Sequence, residues 1–233
     1  MTFDHIKLPE LDFDLEAITT ESGRQYKTPK GNSYPSVTTV LSSYNKKAIY
    51  EWRARVGDEE ANKISGKASR RGTALHTVCE KYLLNEMNEL RMQTMMPNIK
   101  ELFLQLRPEL DQNIGKIYSL EQALYSDGLK IAGRVDCIAE WDGELAVIDF
   151  KTSSKEKWED GILNYFMQCS AYAEMFGEIT GKPINKLVVA IAVEEGKPQI
   201  FVRDKEPYLP QLKQYIAKYY LTSITISDRM VGL

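Results

Sequence analysis

Cysteine is scarce in this chain, and what there is lies scattered. Cys79, Cys137 and Cys169 are odd in number and far apart, with no CxxC pair. That pattern suits neither a disulfide framework nor a zinc or iron–sulfur site, and it points to a reducing, cytosolic compartment. Long apolar runs are missing too. No stretch approaches the ~20 residues a membrane span requires, so no membrane partner is expected. The opening MTFDHIKLPELDFDLE is acidic and lacks the apolar core of a signal peptide. No internal repeat and no low-complexity tract is present. A strong charge of one sign is also absent. The net charge of −3 excludes a wholesale polyanion binder, so any nucleic-acid contact must use a local basic patch.

What remains is ordinary globular material, 43% hydrophobic and 27% charged. The length fits one large domain, or a core with an added helical part. Residues 1–35 read as an extended lead-in, with Lys27 to Asn32 as turn material. Ser36 follows Pro35 and can cap a short helix through Ser43. Helical periodicity then covers about 46–56, 58–88 (with Gly66 and Gly72 as candidate breaks) and 97–113. The character changes near Tyr118, where strands are expected at about 118–126, 130–140 and 144–150. A helix at 162–177, strands at 186–194 and 198–203, and an amphipathic helix at 207–221 complete the pattern. The class is α/β or α+β with one mixed sheet.

The most informative segment runs from Gly133 to Thr152. Asp142-Gly143 is the preferred dipeptide of a type I′ turn, because both central residues need positive φ. With those two as the turn, Trp141 pairs with Glu144 and opposed positions sum to 285. Asp136 then lies opposite Asp149, and Arg134 opposite Lys151. Alternation sends Val135, Cys137, Ala139, Ala146, Ile148 and Phe150 to a core face. Arg134, Asp136, Asp149 and Lys151 share the other. Opposed Cβ atoms are ~5 Å apart, so both carboxylates can reach one ion, and hard Mg²⁺ or Mn²⁺ relieves their repulsion. A surface hairpin on which the acids merely pair with Arg134 and Lys151 is the plainer reading.

At these residues the chain resembles the PD-(D/E)XK nuclease superfamily, in its RecB-type branch. Gly133-Arg134-Val135-Asp136 resembles the first acidic motif, with Val135 where the usual Pro stands. Ile148-Asp149-Phe150-Lys151-Thr152 resembles the (D/E)XK motif, and Gln168-Cys169-Ser170-Ala171-Tyr172 the QxxxY motif. Gly72-Thr73-Ala74-Leu75-His76 resembles the upstream helix that supplies a metal-binding His. Tyr34 to Leu41 adds a likeness to mitochondrial-maintenance and phage exonucleases of that branch.

The resemblance implies a restriction-endonuclease-like core, a central mixed sheet flanked by helices with an N-terminal helical part. Residues 36–116 would carry the His motif and 117–233 the nuclease core, the two forming one compact unit behind the 1–35 lead-in. It implies a Mg²⁺- or Mn²⁺-dependent DNA exonuclease without an iron–sulfur cluster, acting on DNA that is single-stranded or has free ends. A bacterial or phage-infected cytoplasm is the expected setting. The alternatives are a duplex-degrading recombination-type exonuclease and a catalytically silent DNA-end binder; retention of both acids and Lys151 speaks against the latter.

Asp136, Asp149 and Lys151 would be catalytic. His76, Asp136, Asp149 and the Phe150 carbonyl would be the metal ligands. Lys151 would orient or help deprotonate the attacking water and offset charge near the phosphate. Gln168 and Tyr172 share a helical face. Gln168 would bind near the metal, while Tyr172 would touch a nucleotide or belong to the core. Glu80 would support the metal site from one helical turn away, or is solvated. Glu121, on the preceding strand, resembles an acid that some relatives place beside the metal; a solvated strand Glu is the plainer reading. Lys63, Lys67, Arg70 and Arg71 form one basic stripe leading to His76, either a phosphate track or a solvated face. Tyr34, Tyr44, Tyr50 and Trp52 can supply stacking platforms for bases, or core.

Overall fold

Asp142 and Gly143 have φ of 51° and 75°, the left-handed pair a type I′ turn demands. In the computed structural model, which describes residues 2–231 and side chains as far as Thr222, this turn joins β5 (Ile131–Trp141) to β6 (Glu144–Ser153). Their register runs from Trp141↔Glu144 to Cys137↔Ile148, the sum expected from the sequence. β4 (Ile114–Ser126) pairs antiparallel with β5, while β7 (Lys186–Val193) and β8 (Gln199–Asp204) extend the other edge. The order is β4-β5-β6-β7-β8, with β6 and β7 parallel and the other pairs antiparallel. A parallel pair needs a crossover, and α5 (Leu163–Thr180) supplies it.

The hairpin is covered on both faces, which corrects the expectation of a single core face. Ile138 and Val147 pack with Phe166, Met167 and Tyr172 of α5, together with Leu212 and Ile216 of α6 (Leu209–Val231). Cys137, Ala139, Ala146, Ile148 and Phe150 pack on the opposite side. There they meet α2 (Asp58–Leu83) and α4 (Pro97–Asn113), through Leu75, Cys79, Leu102 and Phe103. The β6–α5–β7 crossover covers one face with α5, and α2 and α4, which precede the sheet in the chain, cover the other. Val135 joins the α5-side cluster with Ile138, so strict alternation fails between Val135 and Cys137. Asp136 is the residue at which it fails.

Ser36 caps α1 (Val37–Val56), its Oγ accepting from the Thr39 amide at 3.0 Å. The two helices expected at 36–43 and 46–56 are one, since nothing between Ser43 and Lys46 breaks the backbone pattern. α2 runs unbroken past Gly66 and Gly72 but stops at Leu83, and a short α3 (Glu89–Thr94) capped by Asn88 follows. The lead-in is a small antiparallel sheet instead of free chain, formed by β1 (Glu16–Thr20), β2 (Gly23–Lys27) and β3 (Ser33–Pro35). Leu15, Tyr26 and Tyr34 fasten it to Ala123 and Ala132 of the main sheet. All three cysteines are buried free thiols. Among the described residues, no helix is long and apolar enough to cross a membrane.

Candidate active site

Helix α2 presses Leu75 and Cys79 into the sheet at zero exposure, and that anchoring turns His76 toward the strands. Its Nδ1 lies 3.4 Å from Asp136 Oδ1 and 4.0 Å from Glu121 Oε1. One donor atom from each of the three residues falls within 4.8 Å of the others. Glu121 sits between the pairs Leu120↔Cys137 and Gln122↔Val135, and so opposite Asp136. Its φ of 47° marks a local distortion of β4. Arg134 holds that distortion by donating to the Glu121 carbonyl.

The electrostatics are those of crowded acids. Burial and the neighbouring Asp136 charge push the Glu121 pKa up to about 7, and Glu80, one helical turn beyond His76, adds to the rise. Burial works against charging His76, but the bond to Asp136 outweighs it and lifts the imidazole to about 9. For Asp136 burial also opposes ionisation, and the His76 bond, Lys151 and the Phe150 amide overcome it, so its net shift is downward. Its Oδ2 accepts from the Phe150 backbone N–H at 2.8 Å. The side chain thus enters the ladder where the backbone pairing of β5 with β6 ends.

Asp149 is 1% exposed. Burial raises its pKa to about 6 against the opposing pull of Lys151. The Lys151 ammonium touches Oδ2 as an ion pair, yet neither Asp149 oxygen has a partner at hydrogen-bonding geometry. Burial alone would lower the Lys151 pKa. The charges of Asp149 and Asp136 reverse that and hold the ammonium well above its ordinary value. Its Nζ also lies 5.2 Å from the centre of the Tyr165 ring at the start of α5.

Several expectations change. Arg134 does not oppose Lys151 but turns away to Asp14, at 2.7 Å. Arg71 leaves the basic stripe, because it is 9% exposed and paired with Glu194 at the end of β7. Lys63, Lys67 and Arg70 stay exposed, with Lys67 3.7 Å from Glu194 and Lys63 3.7 Å from Glu60. Tyr172 is core, at 3% exposure, and Gln168 Nε2 donates to its hydroxyl across 3.4 Å. No ring face is left there for a base. Tyr34 is buried, and Tyr44 stacks on Tyr215 at 3.8 Å. Trp52 is half-buried, while Tyr50 is exposed.

Glu121, expected either beside the metal or solvated, stands in the tight trio, whereas Asp149 sits beside it with Lys151. Tyr165 and Glu194 carried no signal in the sequence, since neither belongs to a motif and each meets its partner only in the fold. The donors are carboxylate oxygens and one imidazole, with no thiolate. Of the two buried Asp149 oxygens, Oδ2 is answered by the Lys151 ammonium, while Oδ1 has no partner, which costs stability unless something answers it. This set can hold a hard divalent cation.

The family model of the PD-(D/E)XK nuclease superfamily matches residues 45–227. Mitochondrial genome maintenance exonuclease 1 of Homo sapiens is 27% identical over 135 residues, 54% of this chain and 38% of that protein. The Mus musculus protein of that name is 28% identical over 148 residues, 60% of this chain and 43% of its own length. Its Xenopus tropicalis counterpart is 25% identical over 204 residues, 83% of this chain and 57% of that protein. The chain therefore spans about half the length of the exonuclease relatives it matches.

Proposed function

The chain belongs to the PD-(D/E)XK nuclease superfamily, and we propose that it is a Mg²⁺- or Mn²⁺-dependent deoxyribonuclease, an exonuclease that prefers single-stranded DNA. The observation that carries this reading is the meeting of His76, Glu121 and Asp136 within 4.8 Å, beside a buried Asp149 that is paired through Oδ2 with Lys151 and has no partner on Oδ1. The name of the relatives brings in attack from an end. His76, Asp136, Asp149 and Glu121, with the Phe150 carbonyl, would hold the cation.

A bound divalent cation would polarise the scissile phosphate and acidify a water. Lys151, kept charged by its two acidic neighbours, places an ammonium where negative charge grows on the phosphoryl oxygens. In that form the lysine stabilises charge and orients water. Gln168 and Tyr172 act from behind, as packing that fixes α5 against Gly133. Lys63, Lys67 and Arg70 lie on the helix that carries His76, about 9–20 Å away along its axis at ~1.5 Å per residue. A phosphate backbone approaching the acids would pass these cations first.

The test uses end-labelled single-stranded, duplex and circular DNA with Mn²⁺ or EDTA. Linear single strands should shorten from an end, and EDTA should stop the reaction. Asp136→Asn should abolish cleavage and leave DNA binding in place. An Asp136→Asn/Asp149→Asn protein that cuts at the parental rate, or circular DNA cut as fast as linear, would overturn the proposal.

A further inference from the structure

Trp158 is 88% exposed, more than any other large apolar side chain described. Its ring meets no other ring and no cation among the described residues. Full burial of a large aromatic is strongly favourable, so a tryptophan held in water on an ordered segment calls for an explanation. The segment is well tethered. Glu194 and Glu195 donate backbone N–H groups to the carbonyls of Ser153 and Ser154, at 2.9 and 3.0 Å. The Gln199 side-chain amide clamps the Lys157 backbone, accepting from its N–H at 2.7 Å and donating to its carbonyl at 3.0 Å. Gly161 N–H donates to the Trp158 carbonyl at 2.9 Å. Flexibility of the backbone therefore does not account for the exposed ring.

Its placement supplies the explanation. The segment leaves the end of β6, two residues past Lys151, and runs into α5, whose Tyr165 ring lies against the Lys151 ammonium. Trp158 is thus seven residues from each of two groups that touch at the site, a reach of at most about 25 Å. The two lysines beside it, Lys155 and Lys157, are exposed, and neither is in an ion pair among the described residues. The neighbouring acids are mostly engaged. Glu156 accepts from the Lys197 amide, and Glu159 pairs with Arg203; Asp160 has no such partner among the described residues. The result is an aromatic face flanked by two cations, on a segment tied at Ser153 to Glu194, the acid that Lys67 and Arg71 of α2 also reach.

We infer that Trp158 is a positioning residue that stacks on a base of single-stranded DNA, with Lys155 and Lys157 taking the adjoining phosphates. This rests on the nuclease reading above and names the element that would give it strand preference. A free strand offers base faces to an aromatic ring, whereas a duplex keeps its bases stacked on one another. Trp158 seats the strand and takes no part in the bond-breaking step.

The experiment measures binding of a labelled 20-mer of thymidylate to the full chain in EDTA, and KM and kcat for the same strand in Mn²⁺. Trp158→Ala should bind the oligomer roughly 5- to 100-fold more weakly, the loss expected for one stacked base. The loss should appear in KM much more than in kcat. Trp158→Phe should recover most of it, and a blunt duplex should bind all three proteins alike. Equal binding of the strand by the parent and Trp158→Ala, or an equal loss on strand and duplex, would overturn the inference while leaving a cutting enzyme intact. A parent that neither binds nor cuts the strand would overturn the nuclease reading and this inference with it.

Discussion

Gly133 opens the first acidic segment, and its missing side chain has a measurable consequence. A Cβ built at this position would lie 2.8 Å from Tyr172 Cε1, 3.0 Å from its hydroxyl and 3.3 Å from Cζ. The ring has little room to retreat, being 3% exposed and packed within the α5-side core. Gly133→Ala therefore forces α5 and β5 apart or twists the ring from its well. Overpacking of this kind costs ~1–3 kcal/mol. At ~2–4 °C per kcal/mol for a chain of this size, the melting temperature should fall by roughly 2–12 °C in differential scanning calorimetry. Trimming the obstruction with Tyr172→Leu opens a cavity by itself, but in the double variant the alanine methyl fills part of it. The double variant should thus be more stable than the sum of the single losses, by about 0.5–3 kcal/mol of coupling. Additive losses, or a Gly133→Ala protein melting like the parent, would refute a steric role for this contact.

Lys151→Ala should slow cleavage by at least ~10²-fold in single-turnover experiments with saturating enzyme, the loss expected for one charge-stabilising donor, with DNA affinity nearly unchanged. Normal cutting with weaker binding would make the lysine a phosphate clamp. Lys63→Ala, Lys67→Ala and Arg70→Ala together should reduce the log–log salt slope for single strands by about 2, at ~0.7 per phosphate contact; adding Arg71→Ala should cost stability more than slope, because that residue serves Glu194. Cation affinity should rise with pH. Glu121 and Asp149 carry pKa values raised to about 7 and 6, so protons compete with the cation below those values. Mn²⁺ titrations followed by calorimetry should show weaker binding at pH 5.5 than at pH 8, and a flat profile would contradict the shifts.

The hairpin register was legible because a two-residue turn of Asp142 and Gly143 admits one pairing, and α4 was legible from its helical periodicity over 97–113, although β4 starts at Ile114, four residues before the expected strand. The lead-in sheet was not. Its strands are three to five residues long, β1 is exposed throughout, and β2 and β3 bury only Tyr26, Tyr34 and Pro35 between them, too few to write a period. α3 buries nothing and left no periodicity to read. Within the site, Asp136, Asp149, Lys151 and His76 were visible as motif residues. Glu121 was visible only as one of two readings, and the role of Arg71 was hidden, because it depends on a residue that folding brings from far along the chain. A helical arginine reads as solvated until Glu194, 123 positions away, arrives beside it. Tyr172 looked equally fit for a base or for the core until Gly133 closed over it.

The amide of Phe150 is bonded to a side chain of the site, Asp136, at the centre of a sheet covered on both faces. Amides in such places exchange with solvent only when the surrounding structure opens. The carboxylate therefore has no private way to loosen. Swinging it out frees a central strand's N–H, and freeing that N–H requires breaking into the sheet. On warming, the acid cluster should keep its shape up to the point at which the core itself gives way, with no earlier stage of a slackened site in an intact fold.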